Sequence, residues 1–164
     1  MSQRYLIALG SNLRHHRHGP PEQVLRAALA ELVRRGITVT AAGPVLRSAP
    51  IGPSLRRYAN SAAVVKWKHS PGELLHELKA VERLFGRRAG GQRWTSRVLD
   101  LDIVLWSGGA WSSPGLTIPH VLFRDRDFVL KPSAAVAAQW RDPVTGLTLR
   151  QLAARLARPV LTQT

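Results

Sequence analysis

The sequence predicts one α/β (α+β) domain with a ferredoxin-like βαββαβ core: a mainly antiparallel sheet with helices packed on its faces and a C-terminal extension. Three observations predict it. Apolar runs of strand length and amphipathic stretches of helix length follow one another in the order β-α-β-β-α-β. The amphipathic stretches carry their own start and stop signals. No internal repeat or linker-like segment divides the 164 residues, a length that suits a single domain over 1–164 with a sizeable core.

Residues 4–9 (RYLIAL) read as a short buried strand, ended by Gly10-Ser11-Asn12. Pro21 suits the first turn of a helix and Glu22 complements its dipole. Leu25, Ala28, Leu29 and Leu32 recur with helical period, and Gly36 closes the element. Residues 37–46, rich in Val, Thr and Ala, read as a strand, and the Pro/Gly-punctuated RSAPIGPSLRR as a loop. Residues 59–68 form the next strand. Ser70-Pro71-Gly72-Glu73 is a capping box opening a helix with Leu74, Leu78, Val81 and Phe85 on one face, ended by Gly86.

GRRAGGQRW then reads as a glycine- and arginine-rich loop, expected to be mobile. Residues 99–106 read as a strand, SGGAW as a turn and 110–112 as a short returning strand. Residues 117–120 are expected in a loop, and 128–130 as a short apolar piece. Thr148-Leu149-Arg150-Gln151 is a second capping box, whose helix stops before Pro159.

Composition narrows the functional classes. With no cysteine, a disulfide framework and a thiolate metal site are excluded. The apolar run YLIAL is too short for a signal peptide or a membrane span, and no later run is long enough, so a cytoplasmic protein is expected. The formal charge of +14 invites anionic partners, although arginine enrichment also serves simply to solvate a surface.

The most informative stretch is RWTSRVLDLDIVLW, residues 93–106. In a strand, Asp100 and Asp102 project from one face, roughly 6–7 Å apart at Cα. Leu99, Leu101, Ile103 and Leu105 are expected to point the other way, into a core. Two neighbouring carboxylates raise each other's pKa, so something positive must offset them. Ion pairs with arginines such as Arg93 or Arg97 are one answer. A divalent cation is the other, and oxygen-only ligands favour magnesium over zinc. Arginines at 87, 88, 93 and 97 flank the pair as a magnesium–polyphosphate substrate requires. No GxxxxGK[ST] or GxGxxG occurs, so any nucleotide is held by neither a P-loop nor a Rossmann turn.

This stretch resembles the signature of the 6-hydroxymethyl-7,8-dihydropterin pyrophosphokinase family of the folate pathway. Other segments resemble the same family in order: Gly10-Ser11-Asn12, Arg47-Ser48-Ala49-Pro50-Ile51-Gly52, Tyr58-Ala59-Asn60, Glu82 with Gly86-Arg87, Leu116-Thr117-Ile118-Pro119-His120 and Arg126-Asp127-Phe128. The resemblance runs from about residue 5 to residue 132. It implies transfer of a pyrophosphoryl group from ATP to the pterin hydroxymethyl oxygen, with AMP leaving. It also implies two Mg2+ ions held by Asp100 and Asp102.

Further site residues follow from the resemblance. Arg87 and Arg97 join the aspartates as catalytic residues. Glu82, Arg97, Ile103, Thr117, His120 and Arg126 are expected to hold ATP. Ser48, Pro50, Ile51, Tyr58, Asn60, Trp94 and Phe128 are expected to hold the pterin. Tyr58 and Phe128 would sandwich the flat ring, Trp94 would cover it, and the Asn60 amide would read its edge. The same aspartates are expected to favour deprotonation of the substrate hydroxyl. The competing reading, a basic nucleic-acid-binding ferredoxin-like domain, requires exposed aromatics on neighbouring central strands, and that pattern is missing. Small-molecule substrates, no nucleic acid, no membrane and a monomer are therefore expected.

Overall fold

The computed structural model describes residues 2–12, 17–48, 58–86 and 98–158. Its elements in chain order are β1 (Gln3–Ser11), α1 (Pro21–Arg34), β2 (Thr38–Ala42), β3 (Leu46–Ser48), β4 (Tyr58–Trp67), α2 (Pro71–Leu84), β5 (Asp100–Trp106), β6 (Trp111–Ser113), β7 (Leu116–Ile118), a 3-10 turn (Phe123–Asp125), α3 (Asp127–Ala137) and α4 (Leu149–Ala157). The main sheet runs β2-β4-β1-β5, with β3 also pairing with β4, and every pairing is antiparallel. This is the strand order of the expected βαββαβ core.

Tyr5 to Leu9 of β1 are all buried, because alternate side chains serve two different cores. Tyr5, Ile7 and Leu9 meet α1 and α2 through Leu25, Leu32, Leu74 and Leu78. Leu6 and Ala8 face the other way, toward Phe123, Leu130, Leu149 and Leu152. The C-terminal extension is thus the second covering layer of the sheet. The signals at the helix starts hold: Pro21 opens α1, and Ser70 and Glu73 form a reciprocal capping box on α2, as Thr148 and Gln151 do on α4.

Four expectations are corrected. The strand expected over 37–46 is two strands, β2 and β3, broken at Gly43, whose N–H donates to the Ala62 carbonyl at 2.8 Å. A Cβ on Gly43 would lie 3.2 Å from that carbonyl, so a larger residue is crowded there. Residues 117–120 are not all loop, because β7 pairs with β6 as a hairpin. The short apolar piece at 128–130 belongs to α3, a helix with no side-chain cap and with Pro132 inside it. Leu105 does not face the first core. The register shifts between Leu6 and Ile7, so Val104 and Leu105 both join the second core.

One buried ion pair ties the second layer together. Arg124, in the 3-10 turn, donates to both oxygens of fully buried Asp142 at 2.6 and 2.8 Å. Thr145 Oγ1 and the Val144 N–H also donate to it. Burial pushes the Asp142 carboxyl up, but these donors outweigh burial and hold it down at about 2. A depressed carboxyl contributes stability that is present above its unfolded value of about 4 and lost as pH falls through about 2. We predict that Asp142→Asn costs about 3 kcal/mol at neutral pH, read by urea denaturation. Between pH 4 and pH 2 the wild type should converge on the variant.

Candidate active site

Register brings the expected site residues together. Gly10 of β1 pairs with Asn60 on one side and Asp100 on the other. Ala8 pairs with Ala62 and Asp102 in the next row. Directly paired residues share a face, so Asn60, Asp100 and Asp102 stand on the α3 side of the sheet. The floor between them is Gly10, Ala8 and Ala62. Its smallness matters at Gly10, where a Cβ would sit 3.1 Å from Asn60 Oδ1. Tyr58 continues this face by strand alternation and is 42% exposed. Phe128, in the first turn of α3, is 40% exposed, with the Arg126 guanidinium 5.6 Å from its ring centre.

Asp100 and Asp102 are both half-buried. Burial first, and the Asp100 charge second, push the Asp102 carboxyl above its ordinary value, while His120, Lys79 and Arg126 pull it back. His120 is fixed at both ends. Its N–H donates to the Val104 carbonyl at 3.0 Å, and its Nδ1 accepts from the Leu122 N–H at 3.2 Å. With Nδ1 accepting, the neutral ring carries its proton on Nε2, which is left as a donor. Thr117 is exposed on β7.

Two expected nucleotide contacts are placed differently from a surface contact. The Ile103 side chain is buried in the first core, on the face opposite the aspartates, and offers a ligand only its backbone. Glu82 is 0% exposed, and its Oε1 lies 3.2 Å from Lys79 Nζ. Arg87, Arg97, Trp94, Pro50 and Ile51 lie outside the described residues, as does the Ser48 side chain. Lys79 escaped the sequence reading. Its signal was its position three residues before Glu82, beside the apolar stripe of α2.

Among the described residues, no cluster of three or more His, Asp or Glu side chains is arranged to hold a metal ion. Two carboxylates on one strand face are the donor set of a hard cation that takes its remaining oxygens from a ligand and water. No helix among the described residues is long and apolar enough to cross a membrane.

The family model for 7,8-dihydro-6-hydroxymethylpterin-pyrophosphokinase (HPPK) matches residues 6–138. A Synechocystis protein named 2-amino-4-hydroxy-6-hydroxymethyldihydropteridine pyrophosphokinase is 37% identical over 148 residues, covering 90% of this chain and 73% of that protein. A Pseudomonas aeruginosa protein of the same name is 37% identical over 145 residues, covering 87% of this chain and 86% of its own length. Among solved structures, Plasmodium falciparum HPPK-DHPS with pteroate superposes with a TM-score of 0.70 at 13% identity. That match covers 94% of this chain but only 42% of the Plasmodium chain, and it supports the fold alone.

The raised Asp102 carboxyl has a stability consequence. A group that binds its proton more tightly when folded favours the fold below its unfolded value and loses that contribution as pH rises. With metal chelated, Asp102→Asn is therefore predicted to melt higher than the wild type at pH 7. Thermal denaturation across pH should show the difference disappearing below about pH 4.

Proposed function

The chain belongs to the 7,8-dihydro-6-hydroxymethylpterin-pyrophosphokinase family, and on that premise we propose how its residues carry the reaction. The enzyme transfers a pyrophosphoryl group from ATP to the hydroxymethyl group of 6-hydroxymethyl-7,8-dihydropterin in folate biosynthesis. The hydroxyl gives up its proton, a loss that Asp100 and Asp102 favour, as its oxygen bonds to the β-phosphorus; the bond from that phosphorus to the α-phosphate oxygen breaks, and AMP leaves with the electron pair.

The observation that carries the residue assignment is the row Asn60–Gly10–Asp100 across adjacent strands. It sets an edge-reading amide and a carboxylate pair on one face, about 10 Å apart across two strand spacings. A flat bicyclic substrate lying over Gly10 and Ala8 has its polar edge at Asn60 and its hydroxymethyl arm toward Asp100 and Asp102. Tyr58 and Phe128, exposed aromatics on this side of the sheet, stack on the ring.

Two Mg2+ ions, held by Asp100 and Asp102 together with ATP oxygens, would neutralise the triphosphate and the leaving α-phosphate oxygen. Around them the chain's own groups position the phosphates, which is most of what phosphoryl transfer requires. His120 Nε2–H donates to a phosphate oxygen, and Arg126 pairs with another. Thr117 and the Ile103 backbone belong to the nucleotide side. Arg87, Arg97, Trp94, Ser48, Pro50 and Ile51 are assigned by family resemblance only: the arginines to phosphate, the others to the pterin.

The test is incubation of the purified protein with ATP, magnesium and the pterin, with AMP followed by chromatography. AMP formed only with pterin present is the expected outcome, and ADP would overturn the reading. Asp102→Ala should lower kcat at least about 1,000-fold while the circular dichroism spectrum is kept. Asn60→Ala should weaken pterin binding about 10- to 100-fold, the worth of one or two buried hydrogen bonds, with ATP binding unchanged by calorimetry.

A further inference from the structure

The end of the sheet away from the aspartates carries the opposite charge problem. Arg4 of β1 pairs directly with Lys66 of β4. Counted back from Leu6 and on from Val64, both side chains stand on the α3 face. Like charges placed directly across two antiparallel strands repel each other. Among the described residues, no acidic side chain forms an ion pair with either of them.

A cavity of about 680 Å³ opens at this end, between the sheet and the segment that follows α3. Arg4, Arg141 and Trp140 line it together with Thr40, Val64 and Val136, and among the described residues no acidic side chain lines it. Asp142, next to Arg141 in the chain, is already taken by Arg124. The two arginines are held by contacts that leave their charge unanswered. The Arg4 guanidinium lies over the Trp140 ring, 5.0 Å from its centre, and Arg141 Nη1 donates to the Gly146 carbonyl at 2.8 Å. The end of α3 does not answer them either, because the Ala137 and Ala138 carbonyls accept from the Trp140 and Arg150 N–H groups, each at 3.0 Å. Arg4 lies six residues before Gly10 on β1, about 20 Å away at the rise of a strand, so this cavity is separate from the site around the aspartates.

We propose that this cavity is a second binding site, for a small aromatic carboxylate. The guanidiniums of Arg4 and Arg141 take the carboxylate, whose two oxygens match their fork of donors. The apolar body lies against Val64, Val136 and Trp140, and a flat ring suits the planar indole and guanidinium groups better than a flexible chain does. The volume is that of a site for an organic molecule, more than an inorganic anion needs.

The probe is 2-naphthoate, titrated into the full chain by calorimetry at low salt, beside octanoate, 2-naphthylmethanol and inorganic phosphate. The expected result is one site per chain for 2-naphthoate, at least about 10-fold tighter than for the other three, with affinity falling as salt rises. Arg4→Gln and Arg141→Gln should each weaken it about 10-fold with the melting temperature kept. Asn60→Ala and saturating MgATP should leave it unchanged. Equal binding of the alcohol would show that the arginines are unused, and equal binding of octanoate or phosphate that no ring is recognised. Competition by MgATP, or a loss in Asn60→Ala, would put the probe in the substrate site. Each of these results overturns the proposal, as does wild type that binds no 2-naphthoate. If Arg4→Gln does not fold, Arg141→Gln decides by the same readings. The titrations need no turnover, so they stand whether or not AMP is formed.

Discussion

A slip of one residue between β1 and β5 would turn Asp100 and Asp102 into the apolar core beneath α1 and α2. It would also bring Leu101 and Ile103 to the ligand face. Register at the centre of the sheet is therefore the constraint on which the chemistry depends. It is enforced by burial: β1 packs large side chains on both faces, and neither set tolerates exchange with the other. Because Gly10 pairs with both Asn60 and Asp100, one strand fixes the spacing between the amide and the carboxylates.

The same arrangement explains why two like charges persist in an apolar strand. The first half of β5 has an apolar face that binds the sheet to α1 and α2, and a polar face left uncovered by large side chains. Burial and mutual repulsion push Asp102 up, and the groups that pull it back come from three separate elements: α2, the segment after β7, and the start of α3. A site held in this way gains stability when a cation and a polyanion arrive together, because each answers the charge that the other leaves.

The sheet, α1, α2 and α4 were legible in the sequence because each carries a local signal: alternation or an apolar run for the strands, proline or a capping box for the helices. α3 was not. It starts at Arg126 without a side-chain cap and carries Pro132 in its interior, so its helical state depends on packing against β4 and α4. The bulge at Val104 was equally silent, since an extra residue in an apolar run leaves the run apolar. For the site, the aspartate pair announced itself as charge in an apolar strand. The places of Asn60, Tyr58 and Phe128 were legible only through family resemblance, because an amide in a strand and aromatics near turns are common. The burial of Glu82 was invisible for a physical reason: whether a helix-flank glutamate is buried is set by tertiary packing.

The Arg124–Asp142 pair gives the molecule an order of assembly. Synthesis delivers the chain from its N-terminus, and domains gain structure as their parts emerge. The core under α1 and α2 needs nothing beyond Ile118, so it has all its residues while the rest of the chain is still being made. The opposite core waits for Leu149 and Leu152, and the turn that follows His120 waits for Asp142. A chain halted between those points has a half-clad sheet, with the apolar rows that α4 later covers open to water. The interval in which this protein has most apolar surface uncovered therefore falls late in translation.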